Sequence, residues 1–142
     1  MNSLTENKTG KILQRMLEKD TFSNWLGLKV IEFREGYCKL KYVIRDEMLN
    51  GHGGVHGGII FSAADSAFAF ACNSQNIISV ALDVHITFVR YAKSGDQLTV
   101  EARELHLGNK ISVYDISTKN EAGELIAAFK GTAYRTGKEF LT

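Results

Sequence analysis

Hydrophobic residues repeat with two different periods along the chain, and each change of period marks a new element. Between residues 11 and 19, Ile12, Leu13, Met16 and Leu17 recur three and four apart among charged side chains. That spacing gathers them on one face and predicts an amphipathic helix flanking the domain. A second helical turn, FSNWLG, runs into Gly27, a residue that tolerates the left-handed backbone with which helices end. From Leu28 the period falls to two. LKVIEFR, a turn at Glu35 and Gly36, and then YCKLKYVIR predict a hairpin. In its second strand Cys38, Leu40, Tyr42 and Ile44 alternate with Tyr37, Lys39, Lys41 and Val43.

The longest apolar stretch, GGIIFSAADSAFAFACNSQ, starts at Gly57 and reaches about residue 75. It predicts one long helix that is apolar on nearly every face, hence buried all round. Four further strands follow: ISVALDVHITFVRYA, DQLTVEARELHL, KISVYDISTKN and ELIAAFKGTAYRT, separated by the turn sequences KSGD, LGN and EAG. Two strands, a central helix and four strands predict an α+β fold. In it a curved antiparallel sheet wraps one long helix, with the amphipathic helix at the amino-terminal side. The 142 residues fit a single domain spanning 1–142.

Composition narrows the partners. The 17 basic and 16 acidic residues are scattered, so no basic stripe offers itself to nucleic acid. Cys38 and Cys72 lie far apart without CxxC spacing, which argues against a zinc site or a disulfide framework and for the reducing cytoplasm. The polar first 20 residues lack the apolar core of a signal peptide. The run IIFSAADSAFAFAC is shorter than the about 20 residues a membrane span needs and carries Asp65 at its centre. No membrane partner is expected.

Candidate chemistry sits where the loop LNGHGGVHGG enters the long helix. Gly51, Gly53, Gly54, Gly57 and Gly58 permit close approach to the backbone, and the Gly57 and Gly58 amides fall among the unpaired N–H groups of a helix start. Such amides can receive an anion or a polarised carbonyl. The stretch has neither the GK[ST] ending nor the GxGxxG pattern of phosphate loops, since His56 takes the third glycine's place. His52 and His56 have no acidic partner in a HExxH arrangement, so no metal is expected.

Along the helix Gly58, Ser62, Asp65, Ala69 and Asn73 form one small and polar stripe. Burial raises a carboxylate's pKa, and a raised value suits a general base or a nucleophile. A tight loop and a satisfied core aspartate would explain each feature separately; their junction on one helix favours catalysis. Asp65 lies eight residues beyond Gly57, roughly 12 Å at about 1.5 Å per residue. One carbonyl cannot touch both, so the pair should come from two subunits related by a two-fold axis.

The segment HGGIIFSAADSAFAFACNS, with the preceding strand pair and Asn50 and the following VHITFVRYAKSGD, resembles PaaI-type hotdog-fold acyl-CoA thioesterases of phenylacetate degradation. The resemblance covers most of the chain. It implies that Asp65 is the catalytic carboxylate, that the Gly57 amide and the Asn50 side chain polarise the thioester carbonyl, and that His56 supports them. It implies sites shared between two subunits and a tetramer built as a dimer of dimers. Gly58, Phe61 and Phe68, with Met48 and Leu49, are expected around the acyl group. Arg90, Lys93 and, more weakly, Lys110 are expected at the coenzyme A phosphates. His106 is a further candidate beside the ligand. Two positions depart from the family: Ala81 stands where some members have serine, and Tyr91 where many have proline.

The reaction so implied is hydrolysis of an acyl-CoA, with an aromatic acyl group such as phenylacetyl favoured. It needs no cofactor beyond the coenzyme A of the substrate. Two other readings stay open: an acyl-thioester dehydratase using His56 and Asp65, and a binding module that retains the groove without turnover.

Overall fold

A computed structural model describes residues 7–142; the first six residues of the expected domain and of its polar amino terminus lie outside the described residues. Two capped helices open the fold. In α1 (Lys8–Lys19) the Asn7 side chain accepts a hydrogen bond from the Gly10 N–H at 2.8 Å. Asp20 ends α1 and caps α2 (Thr21–Leu26), accepting from the Ser23 N–H at 2.9 Å. Gly27 closes α2 at φ 76°, the left-handed conformation its lack of a side chain allows. The expected first helix is present and begins three residues earlier, because Asn7 supplies the cap.

Six strands follow: β1 (Lys29–Arg34), β2 (Tyr37–Val43), β3 (Ile77–Phe88), β4 (Gln97–Leu107), β5 (Ile111–Lys119) and β6 (Leu125–Glu139), with α3 (Gly57–Cys72) between β2 and β3. They form one antiparallel sheet in the order β1-β2-β4-β5-β6-β3. Every strand read from the period-two pattern is there. β3 is shorter than its apolar run, ending at Phe88 because Val89 and Arg90 turn away to bond the Ile126 carbonyl. Within β2 the alternation holds from Cys38 on: Cys38, Leu40 and Tyr42 are buried in the core and Val43 is exposed, but Tyr37, expected on the outer face, is buried as well.

The sheet curves around α3, which packs chiefly across β2, β4 and β5. Ala63, Ala64, Ala67 and Ala71 bring the helix close to the strands, and Ile60, Phe68 and Phe70 fill the space between them. The Phe68 ring lies 5.8 Å from Tyr114 and 6.0 Å from Phe129, centroid to centroid. Below it Gly131 of β6 leaves room that a side chain would take: a Cβ there would stand 2.8 Å from the ring. Asn73 then turns the chain from helix to sheet. Its side chain donates to the Ala69 carbonyl at 2.9 Å and accepts from the Ser79 N–H at 2.9 Å.

The packing leaves one side of the domain unfinished. β3 is an edge strand, 12 residues long, and among the described residues nothing pairs with its outer edge. Val80, Leu82 and Phe88 on this strand are half exposed or more. Cys38 and Cys72 are free and buried. Among the described residues no helix is long and apolar enough to cross a membrane.

The contact between Phe68 and Gly131 can be tested by a double-mutant cycle in urea. Gly131→Ala should destabilise the fold by about 1–3 kcal/mol through overpacking. Combined with Phe68→Leu it should cost less than the sum of the two single changes, because the smaller side chain vacates the space the new methyl needs.

Candidate active site

The loop before α3 uses most of its polar groups on itself. Asn50 accepts the N–H groups of His52 at 2.9 Å and Gly54 at 3.3 Å through its side-chain oxygen, an Asx-type turn that folds the glycines over it. Gly53 takes φ 86° within that turn. The Val55 N–H donates to the Ala92 carbonyl at 2.9 Å, tying the loop to the segment after β3. What remains of Asn50 is its amide nitrogen, held only by a long 3.4 Å contact with the Val55 carbonyl. That group is free to turn to a ligand oxygen.

His56 is the N-cap of α3, and its Nδ1 accepts the Gly58 N–H at 2.8 Å. The acceptor role places the ring proton on Nε2, so the imidazole offers a donor outward. The same bond consumes the Gly58 amide, which the sequence reading expected to face the substrate. Gly57 keeps its N–H: no partner for it is found among the described residues. The Phe88 ring covers this residue, 3.3 Å from where a Cβ would project. Gly57, Asn50, Phe88, Arg90 and Tyr91 line one cavity of about 360 Å³ with Val55 and Ile60 among its walls. Two unspent donors, the Gly57 amide and the Asn50 side chain, thus meet in one space, as an oxyanion receptor requires.

Asp65 lies two turns further along α3 and does not line that cavity. It is half-buried, its carboxylate makes no hydrogen bond among the described residues, and burial raises its pKa. Phe61 sits between Gly57 and Asp65 on the same helix face, half-buried against Phe129 at 5.5 Å. Cys72 follows Asp65 by two turns, and its thiol is pushed up to about 12, by burial first and the Asp65 charge second. A thiol so placed is no nucleophile at neutral pH.

The sequence model of the Thioesterase superfamily matches residues 52–127, from the glycine loop into β6. The chain belongs to the thioesterase superfamily. Acyl-coenzyme A thioesterase PaaI of Escherichia coli is 41% identical over 86% of this chain and 87% of its own. The solved structure of E. coli PaaI, from the phenylacetic acid degradation operon, superposes with a TM-score of 0.91 at 39% identity, covering 96% of this chain and 99% of that one. A Streptococcus mutans protein solved bound to acetyl CoA is 28% identical, with a TM-score of 0.77 over 79% of this chain and 90% of its own. The sheet wrapped on a central helix is the hotdog fold of these thioesterases, as the resemblance implied.

Within this thioesterase the expected site residues separate into three groups. Asn50, His56, Gly57 and Arg90 gather at the loop and its cavity, with Phe61 and Asp65 further down the helix face. Phe68 and Met48, expected near the acyl group, are each 1% exposed and belong to the core; Phe68 fills the gap above Gly131 instead. Arg90 is paired with Glu124 at 3.3 Å, and Lys93 is exposed in the turn before β4. Lys110 lies beyond the far end of β4, whose 11 residues separate it from Lys93. At about 3.4 Å per residue that is more than 30 Å, so within one subunit it cannot join the other two cations. His106 is exposed near that same end. Phe88 escaped the sequence reading. Its signal was the period-two register of VHITF, which sets it on one face with Val84 and Ile86.

Two outcomes follow from this geometry. His56→Ala should lower stability by about 1 kcal/mol by uncapping α3, and His56→Asn should restore most of it, read by chemical denaturation. For Asp65, burial makes the folded chain hold the carboxyl proton to higher pH than the unfolded chain. Stability therefore falls as pH rises from the usual aspartate value of 3.8 through the folded value, and stays lower above it. Asp65→Asn should melt at higher temperature than the native protein at pH 7. The difference should close as the pH drops below 3.8.

Proposed function

We propose that this thioesterase hydrolyses acyl-CoA, with aromatic acyl groups of the phenylacetyl type preferred, and that it works in the cytoplasm as a single-domain homo-oligomer. The observation that carries the reading is the division of labour on α3. Two free donors converge at its start, and an unpaired, half-buried carboxylate sits two turns away. The name of the E. coli relative and the acetyl CoA bound to the S. mutans one support the substrate class. The operon of the former supports the aromatic preference, as does Phe61 beside Asp65.

In the reaction we propose, the Gly57 N–H and the Asn50 amide nitrogen hold the thioester oxygen. Asp65 takes a proton from the attacking water, or attacks the carbonyl carbon itself to form a mixed anhydride that water then hydrolyses to the free acid and the regenerated carboxylate. Electrons move onto the held oxygen, and collapse of that oxyanion breaks the carbon–sulfur bond and releases coenzyme A thiolate. The raised pKa of Asp65 makes it a stronger base than an exposed aspartate, and the donors need neither a metal nor a redox cofactor to do their part.

Because Gly57 and Asp65 are about 12 Å apart along one helix, the working pair comes from two copies. The edge of β3 is the face we assign to this pairing, since a long apolar edge strand is otherwise a standing invitation to aggregation. A two-fold axis through the middle of β3 also carries Lys110 of a second copy toward the Arg90 end, where one subunit alone cannot bring it. Two such dimers would form the tetramer that the resemblance implies.

Free thiol release from a panel of aryl-acyl and fatty acyl-CoAs tests the activity. The native protein should release thiol fastest from the aryl-acyl substrates. Asp65→Asn should lose about 10²–10⁴-fold in rate and Asn50→Ala about 10²–10³-fold. Saturable binding without thiol release by the native protein would leave a binding module and sink the hydrolase reading. Shared sites make a further outcome: mixing the two inactive variants and allowing subunits to exchange should restore about a quarter of native activity, because half the dimers are mixed and each has one intact site. Sites confined to one subunit would restore none.

A further inference from the structure

The cavity that holds the two free donors has walls of two kinds. Arg90 and Tyr91 belong to the segment that leaves β3 towards the exposed Lys93, whereas Val55, Ile60, Phe88 and Val89 supply apolar surface. Val55 and Ile60 are buried and belong to the core, so they cannot yield to a ligand. Phe88 differs from them. It follows Val84 and Ile86 on one face of β3, and those two pack against the core while Phe88 remains 54% exposed. Pairing of Phe88 with Ala127 of β6 fixes its backbone.

The ring lies directly against the start of α3. A Cβ on Gly57 would stand 3.3 Å from Cζ and 3.4 Å from Cε1 of Phe88, and the three side-chain or backbone atoms nearest that point all belong to this ring. Carbon atoms settle at about 3.5–4.0 Å from one another, so no slot remains between ring and helix. A thioester oxygen accepting from the Gly57 N–H places its carbonyl carbon within about 4 Å of that nitrogen. The next carbon of the acyl group then enters the space that Phe88 bounds. The sulfur arm ends in phosphates, for which Arg90 and Lys93 are the expected cations, and the acyl arm is left with the apolar wall.

We propose that Phe88 sets specificity at the acyl carbon next to the carbonyl: its ring admits a CH₂ there and turns away a branched carbon. The inference rests on the acyl-CoA reading above and adds to it a steric limit on the acyl group. Gly57 is a glycine for the same reason, because the ring occupies the space of its side chain. A branch at the acyl carbon has to displace the ring, with Val55 and Ile60 unable to give way behind it.

The test compares phenylacetyl-CoA with 2-phenylpropanoyl-CoA, which differs by one methyl on the carbon next to the carbonyl. The native protein should prefer the unbranched substrate in kcat/KM. Phe88→Ala should reduce that preference about tenfold, within the range one methyl group gives in a tight pocket, and Phe88→Leu should fall between the two. Branching also slows thioester hydrolysis without an enzyme, but by the same factor for every variant. Only the change in preference counts, and it does not depend on how much of a variant is folded. Where Phe88→Ala hydrolyses neither substrate, Phe88→Leu decides. A preference left at the native value by the substitutions overturns the proposal and leaves the hydrolase reading standing. Should the native protein hydrolyse neither substrate, the hydrolase reading fails and the Kd values of the same two thioesters are compared instead. Tighter native binding of the unbranched one, equalised in Phe88→Ala, upholds the role of Phe88, and equal binding by the native protein overturns it.

Discussion

A carboxylate kept half out of water, with no hydrogen-bond partner among the described residues, is the constraint around which this fold is arranged. Helix α3 must bury eight of its 16 residues to hold the sheet together, and apolar side chains on most of its circumference do that. A charge in the middle of such a helix opposes burial. The sheet resolves the conflict by packing α3 mainly over β2, β4 and β5, leaving the Gly58, Ser62 and Asp65 face uncovered. Asp65 on that face stays half-buried and is not sealed in the core.

The glycine loop shows the same economy at smaller scale. Its backbone is too irregular to satisfy itself by a ladder, so the side-chain oxygen of Asn50 and the Nδ1 of His56 do the work. Each polar group bonded within the loop is closed to a ligand, as the Gly58 amide is by His56 Nδ1, while the Gly57 amide has no partner among the described residues. The pair of donors facing the cavity is thus a remainder: one N–H that the N-cap does not reach and one amide nitrogen that the Asx turn does not need. Both lie in a turn whose remaining polar groups are bonded within the loop itself.

Much of this was legible in the residues. The alternation of Cys38, Leu40 and Tyr42, the caps around Gly27 and the turn sequences between strands are local signals, and the elements they predict are present. The polar stripe on α3 was legible for the same reason, since helix period alone sets its face. What periodicity could not reveal was which polar groups of that stripe are consumed. Asn73 lies on the stripe but turns the chain into β3, because its partner Ser79 is fixed by the fold and not by spacing along the helix. Phe68 has the same sequence credentials as Phe61 yet fills the core, for the reason that Gly131, 63 residues later, leaves a gap under one and not the other. Contacts between distant segments decide such cases, and resemblance to a family helps only for the residues that the family's motif names.

The edge of β3 and the isolation of Asp65 call for one remedy. An edge strand of 12 residues presents unpaired backbone groups, and Val80, Leu82 and Phe88 along it are apolar and exposed. Natural edges of this length are blunted by lysines, prolines or bulges. β3 shifts register between Ile77 and Ser79 and again between Ala81 and Asp83, and carries Asp83 and His85, but it has no lysine and no proline. A strand from a second copy, running antiparallel across a two-fold axis, would pair these groups and cover the apolar side chains in one step. The same operation would bring the loop of one copy toward the helix face of the other, where the unpartnered carboxylate waits. Folding and catalysis would then share one interface, and a change that weakens the β3 edge would remove both together.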